Sequence, residues 1–419
     1  MHIFYLHQYF NTRSGYTGTR SYEFARHLVK KGHQVTLITS GKHATKELSV
    51  PAGQEYFELD IEGIHVVPIA AAYNSPHLGT AMGGIHRMLA FLEFAALATR
   101  VGLRLKRPDI VFATHTPLTI GLPGIALARH FGVPFVFEVR DLWPQALINC
   151  GALKDPLTIF ALRCLERGIY NEAQHIVALS PGMKAGVVSA GIPPEHVTVI
   201  PNSSDLDLFQ PNLDGTDERN RLGLADKFAA IYFGAMGLAN GLEYAIEAAR
   251  ILKNRGDKNI FIVLHGDGGR RPFLENLARS YGLDNLVFSN PVPDKLTVAK
   301  MVAACNACLT IYAATDKEQT WSPNKMFDAL AAGRPVLINV PGWLGETIQQ
   351  NDCGYCVDPS NPVSLANALQ ELAADPEKQR QMGKNARALA EREFARGILA
   401  DRLEQILLTA LEQIRLSHF

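Results

Sequence analysis

The residues with the most chemistry in the least sequence lie between Thr320 and Val340, TWSPNKMFDALAAGRPVLINV. Ser322 is a natural helix cap, and Pro323 suits a first helical position, where a missing N–H costs nothing. Gly333 then ends the helix and Pro335 prevents its resumption. The unpaired amides and positive dipole end around Ser322, Asn324 and Lys325 would receive an anion, and Lys325 adds a full charge. Asp328 follows three residues later on nearly the same face. One face could therefore hold a phosphate with Lys325 and accept hydrogen bonds from a sugar hydroxyl with Asp328, which points to a nucleotide sugar. The plainer account is a well-capped surface helix with two solvated charges.

Other polar residues gather where strands are expected to end. Asp141 follows the apolar run PFVFEV, with Glu138 and Arg140 beside it, and His115 follows DIVFAT. Asp141, Glu138 and His115 are the candidates for contact with the reacting sugar or its acceptor. Arg140 could instead pair with Asp141 to order the DLWPQ loop. Gly15, Gly18 and Thr19 occupy the loop after the first strand, where backbone amides could approach a distal phosphate or transferred sugar. Arg13 and Arg20 could meet an acceptor phosphate or serve as surface charges. Gly234 and Gly237 in FGAMG, and Gly266 and Gly268 in HGDGG, do not complete G-x-G-x-x-G with its following acid, so a dehydrogenase is disfavoured. Two C-x-x-C pairs, Cys305 with Cys308 and Cys353 with Cys356, lie too far apart for the usual zinc ribbon. Two of these four cysteines sit in strand-like runs, so core packing is their expected role and no metal is expected.

The elements that must position these residues alternate throughout. Ile3 to Leu6, a glycine-bearing loop, the helix RSYEFARHLVKKG and the strand QVTLITS make a βαβ unit, which predicts a parallel sheet with ligands at the carboxyl ends of its strands. Similar units run to about Ile200. The segment IPNSSDLDLFQPNLDGTDERNRLGL then loses periodicity and reads as a linker. Alternation restarts at FAAIYFGAMG and runs through GYCVD to three terminal helices. The expectation is an α/β chain of two doubly wound domains: residues 1–205, residues 206–395, and a helix at 396–419 packing back on the first. The chain has 419 residues with 41 Lys+Arg against 41 Asp+Glu, so no general field for nucleic acid is present and anion recognition must be local. The absence of a secretory signal pattern or an uninterrupted apolar span leads to the expectation of a cytoplasmic protein. The apolar helix expected near Ile85 to Leu105, with Arg87, Arg100, Arg104, Lys106 and Arg107, is either a core helix or an element docking on an anionic membrane through residues 85–107.

Over nearly its full length the sequence resembles the family 4 retaining glycosyltransferases (group 1) of the GT-B fold. The resemblance is carried by the Gly15 to Gly18 loop, EVRDLWP, YFGAMGLANGLEYAIEAA, HGDGG, SPNKMFDALAAGRPVL and GYCVDPSNPVSLANAL. The nearest branch is that of bacterial O-antigen and capsule enzymes, such as the N-acetyl-L-fucosamine transferases. The resemblance implies two Rossmann-like domains facing across a cleft. The C-terminal one would hold a nucleotide-diphosphate sugar, UDP-linked by expectation, with Asn290 and Val292 near the base. The N-terminal one would take a saccharide or polyprenyl-diphosphate-linked acceptor. Transfer would proceed with retention and without a required cofactor or metal, in surface polysaccharide synthesis at the inner face of the cytoplasmic membrane.

Two departures from the family pattern stand out. Where the family carries two glutamates eight residues apart, this chain has Thr320 and Asp328. Where many members hold the diphosphate with an arginine and a lysine, it has Met236 or a neighbour, and Asn240. Lys325 and the surrounding amides, with those of Gly18 and Thr19, would have to compensate. The rivals are a GT-B nucleotide-sugar 2-epimerase and a non-catalytic nucleotide-sugar-binding subunit. No carboxylate pair suggests a glycosidase.

Overall fold

The computed structural model describes residues 1–13, 18–41, 46–71, 84–149, 151–292, 294–313 and 320–417. The chain forms two compact units, Met1–Pro201 with Gly397–Phe419, and Asn202–Arg396. In the first unit the order is β1 (His2–Leu6), α1 (Arg20–Lys30), β2 (Gln34–Ser40), β3 (Leu59–Ile61), β4 (Ile64–Ile69), α2 (Gly84–Gly102), β5 (Ile110–Thr114), α3 (Gly121–Phe131) and β6 (Phe135–Val139). It continues with α4 (Gln145–Asn149), α5 (Pro156–Glu172), β7 (His175–Ala178), α6 (Pro181–Ser189) and β8 (Val197–Val199). The sheet runs β3-β4-β2-β1-β5-β6-β7-β8, parallel except for the β3–β4 pair. Strand order reverses between β1 and β5, and a crevice at such a switch point is where this architecture takes ligands.

Both faces of the sheet are covered, so its strands are apolar without interruption and side-chain alternation sorts residues between two cores. Phe4, Leu6, Val111, Ala113, Phe135 and Phe137 face one core. Ile3, Tyr5, Ile110, Phe112 and Val136 face the other.

The second unit contains α7 (Thr216–Arg221), β9 (Phe228–Phe233), α8 (Glu243–Asn254), β10 (Ile260–His265), α9 (Arg271–Ser280), β11 (Leu286–Ser289), α10 (Lys295–Ala303) and β12 (Ala307–Thr310). Then come α11 (Asn324–Ala331), β13 (Val336–Ile338), α12 (Trp343–Gln350), β14 (Gly354–Cys356), α13 (Pro362–Ala374) and α14 (Pro376–Leu389); α15 (Arg396–Ser417) follows. Its parallel sheet has the order β11-β10-β9-β12-β13-β14, with the switch point between β9 and β12. The C-x-x-C cysteines are absorbed here: Cys305, Cys308 and Cys353 are buried, and Cys356 packs against their core. Among the described residues no three His, Cys, Asp or Glu side chains group as metal ligands.

The glycines of HGDGG have a mechanical role. A Cβ on Gly266 would lie 2.0 Å from the Gly234 carbonyl oxygen, and one on Gly268 would lie 2.6 Å from that of Met236. The turns leaving β9 and β10 therefore touch backbone to backbone, tied by Gly234 N–H to His265 O at 3.0 Å and Met236 N–H to Asp267 O at 2.8 Å. Gly266 also sits at φ 135°, which L side chains rarely adopt. Gly266→Ala is expected to cost about 3 kcal/mol or fold poorly. Gly256→Ala, at φ 77° with open space around its Cβ position, is expected to cost about 1 kcal/mol; chemical denaturation of both checks the contrast.

Candidate functional site

At the switch point of the second unit the chain builds a cationic site from aromatic walls. Lys325, in the first turn of α11, donates from Nζ to Tyr232 Oη at 2.7 Å, and Tyr232 Oη in turn donates to Ala235 O at 2.6 Å. The ammonium lies 3.9 Å from the Tyr232 ring centroid and 5.4 Å from that of Tyr312, and Tyr312 packs on Trp321 at 4.1 Å. Gly234, just after β9, borders it: a Cβ there would lie in ordinary contact, 3.6 Å from Nζ. Burial lowers the Lys325 ammonium to about 7, and no carboxylate among the described residues offsets it.

The start of α11 differs from the expected cap. The helix begins at Asn324, with Pro323 as its cap residue and no side-chain cap. Ser322 is used elsewhere, its Oγ accepting the Asn202 N–H at 2.9 Å while its carbonyl accepts from Asn202 Nδ2 at 2.6 Å. Asn324 is exposed, with its side chain open to solvent. Asp328 is buried and accepts from Ser204 Oγ at 2.8 Å, and burial raises its carboxyl above the ordinary value. Asp205 binds both Lys295, at 2.7 Å, and Arg396. Residues 202–205 are thus bonded into the second unit and are not free linker, which moves the division from 205 to 201. Neither departure residue offers a charge: Met236 is fully buried, and Asn240 Oδ1 accepts the Gly237 N–H at 3.1 Å. Gly237 therefore holds a local turn. Asn290 is exposed and Val292 half-buried just beyond β11.

In the first unit the expected acids and bases divide. Glu138 and Arg20 are both buried and meet each other, Arg20 Nε and Nη2 lying 3.0 and 2.8 Å from Glu138 Oε1. Thr114 Oγ1 donates to the second Glu138 oxygen, and Arg20 also donates to the carbonyls of Pro201 and Ile200. The expectation that Glu138 meets sugar and Arg20 an acceptor phosphate is corrected: a buried ion pair with its remaining hydrogen bonds filled ties α1 to β6. Arg13 is engaged by Glu23 at 3.0 Å.

His115, by contrast, is buried with neither ring nitrogen bonded, set edge-on against Trp143, and burial lowers it to about 3. Arg140 lies 3.3 Å from His7 Nε2. Asp141 reaches solvent, while the protein packed around it raises its carboxyl to about 6 against the pull of Arg140. Gly18 is exposed; Thr19 is buried with an unbonded hydroxyl; Gly15 lies outside the described residues. Sequence reasoning missed Gln8, fully buried with both amide atoms unbonded, two residues beyond the end of β1, the strand that pairs with β5. It also missed Tyr232, Tyr312, Asn202 and Ser204. Only Gln8, a polar residue just beyond an apolar strand, left a signal in the sequence.

The expected membrane helix is α2. It buries Phe91, Phe94, Ala98 and Val101, and its Arg100 pairs with Glu55, as does Arg104 just beyond its end. Arg107 donates to Phe131 O at 3.0 Å, while Leu89 and Leu92 of α2 remain exposed. The core-helix alternative fits this packing.

Residues 17–203 match the model of a glycosyl transferase 4-like domain, and residues 214–389 match that of the glycosyl transferases group 1. The chain belongs to the family 4, group 1 glycosyltransferases of the GT-B fold. It is similar to the putative colanic acid biosynthesis glycosyl transferase WcaI of Escherichia coli, 25% identical over 86% of this chain and 88% of that one. It is 30% identical to a D-inositol 3-phosphate glycosyltransferase of Corynebacterium kroppenstedtii over 61% of its own length, and spans only 60% of that relative. Among solved structures, Anabaena HepE in complex with UDP superposes with a TM-score of 0.70 at 19% identity, covering 98% of this chain and all of that one. The family assignment makes the enzyme a glycosyltransferase.

The lowered lysine gives this glycosyltransferase a pH signature. Between about 7 and 10.5 the unfolded chain holds the Lys325 proton that the folded one releases, so this contribution to stability rises with pH across that window. A bound diphosphate reverses the preference. Calorimetry in buffers of different ionisation enthalpy is expected to show uptake of nearly one proton with UDP above pH 7. Affinity should fall by up to about tenfold per pH unit there, and both effects should vanish in Lys325→Ala.

Proposed function

We propose that this glycosyltransferase moves a hexosyl or N-acetylhexosaminyl group from a UDP-linked donor to a saccharide or polyprenyl-diphosphate-linked acceptor, with retention, in bacterial surface polysaccharide synthesis. The observation that carries the donor half is Lys325: a desolvated ammonium between Tyr232 and Tyr312, with no carboxylate beside it among the described residues, at the switch point of the second sheet. A diphosphate supplies the missing counterion. Charge grows on the diphosphate as the glycosidic bond breaks, so a fixed cation stabilises the transition state more than the bound donor. Asp328 takes ribose hydroxyls, the Tyr312–Trp321 pair gives an apolar wall, and the amides of Asn290 and Val292 serve the base. The UDP complex of HepE and the colanic acid biosynthesis role in the E. coli relative's name support the choice of nucleotide and pathway class.

The first unit supplies the acceptor side. His115, neutral at physiological pH, can accept from a hydroxyl with one ring nitrogen and donate with the other. Asp141 and Arg140 stand one strand further on, where a carboxylate can accept from the attacking hydroxyl and a guanidinium can meet acceptor phosphate. Gly18 and Thr19 close the phosphate side of the same strand end, and Gly15 belongs to that loop. No cofactor or metal takes part in this scheme.

The test is a mass-spectrometric screen of nucleotide sugars against saccharide and polyprenyl-diphosphate-linked acceptors. Transfer from a UDP-sugar that falls at least about a hundredfold in Lys325→Ala is expected. Donor converted without an acceptor would identify an epimerase instead, and binding without turnover a non-catalytic subunit.

A lipid-linked acceptor also needs a surface facing the membrane, and we assign it to α5. Among the described residues no helix is long and apolar enough to cross a bilayer. On α5, Leu157 and Phe160 are 79% and 68% exposed; Ala161 and Cys164 continue the stripe, with Arg163 and Arg167 exposed beside it. Apolar side chains flanked by arginines suit an anionic interface. Leu157→Asp with Phe160→Asp is expected to abolish flotation with phosphatidylglycerol vesicles, while Arg100→Gln with Arg104→Gln on α2 leaves it in place. The opposite pattern would return the role to α2.

A further inference from the structure

A cavity of about 410 Å³ opens in the second unit at the other end of α11 from Lys325. One wall is a face of α14 bearing Gln379, Arg380, Lys384 and Arg387; the other is the turn from α11 into β13, with Gly333 and Arg334. Its charge is lopsided, since four cations line it against a single carboxylate, Glu391. Two of the cations are answered: Arg387 Nε pairs with Glu391 at 2.6 Å, and Arg380 with Glu377. The other two are not. Lys384 has no ion-pair partner among the described residues. Arg334 reaches only a carbonyl, that of Ala303, with Nη2 at 2.9 Å, and its Nε is buried without any acceptor.

A guanidinium removed from water with a donor unfilled is expensive, and burial lowers its pKa as a result. No carboxylate of the described chain relieves it, and Arg219, which also binds the end of α10 at Ala304 O, adds further positive charge nearby. The pattern lacks an anion with several acceptor oxygens. A carboxylate could fill one guanidinium edge, but a tetrahedral phosphate can meet Arg334 and Lys384 together. The volume exceeds what a bare phosphate needs and falls in the range of small-molecule sites.

We propose that this cavity is a second anion site, separate from the donor site, that takes the phosphate group of a small phosphorylated metabolite against Arg334 and Lys384. The inference does not rest on the donor reading. The occupant would also touch the donor helix from behind, because Arg387 Nη1 holds the Ala331 carbonyl at the last turn of α11, at 2.7 Å.

The test is calorimetric titration of the full chain with inorganic phosphate and, separately, glucose 6-phosphate. Binding is expected in the wild type, within about twofold in Lys325→Ala, and about tenfold or more weaker in Arg334→Met and in Lys384→Glu. Tighter binding of glucose 6-phosphate identifies an esterified occupant, and equal binding identifies free phosphate. Lys384 is on the surface, so Lys384→Glu decides the matter if Arg334→Met does not fold. Absence of binding at about 10 mM ligand, insensitivity to Lys384→Glu, or loss of binding in Lys325→Ala would each overturn the proposal.

Discussion

The second unit is organised around the cost of keeping one ammonium out of water. A pKa brought from 10.5 to about 7 corresponds to about 5 kcal/mol against the charged form. The aromatic rings around Lys325 return about 1–2 kcal/mol through cation–π attraction, and its bond to Tyr232 somewhat less. Those contributions do not offset the whole of that cost, and an anion beside Lys325 would favour its charged form. Other features follow from holding Lys325 there. Tyr232 is locked by the Ala235 carbonyl, and Ser322 is pinned by Asn202 so that α11 starts at a fixed place.

Much of this was legible in the sequence. The alternation of apolar runs with amphipathic segments predicts both parallel sheets, because strands buried on two faces cannot be mistaken for surface strands. The helix carrying Lys325 and Asp328 is announced by Ser322, Pro323 and Gly333, and its start is misplaced by a single residue. The cap failed because a long-range partner, Asn202, outcompeted the local amide for the Ser322 hydroxyl. Local propensity has no access to such a competition. For the same reason 202–205 read as linker: its polar composition lacks periodicity, yet all four side chains are buried, and those of Ser204 and Asp205 bond to Asp328 of α11 and Lys295 of α10.

The first unit shows the opposite failure. Glu138, Arg20 and Asp141 have equal claims in one dimension, since each is a charged residue at the end of an apolar element. Strand alternation separates them in space, turning Glu138 inward to Arg20 and leaving Asp141 in solvent. Buried groups without partners, Gln8 and His115, are visible only once all other bonds have been assigned. The Gly266 and Gly268 pattern, which resembles a phosphate loop in sequence, is explained by two turns in backbone contact.

The aromatic cradle of Lys325 has one more consequence. A lysine whose pKa is about 7 is, near neutrality, a free amine about half the time, with a lone pair that ordinary surface lysines do not present. In that form Lys325 is a nucleophile. Among the described lysines it is the one whose pKa burial brings near neutrality, prepared to condense with an aldehyde, and a nearby diphosphate would quench that reactivity by returning the proton.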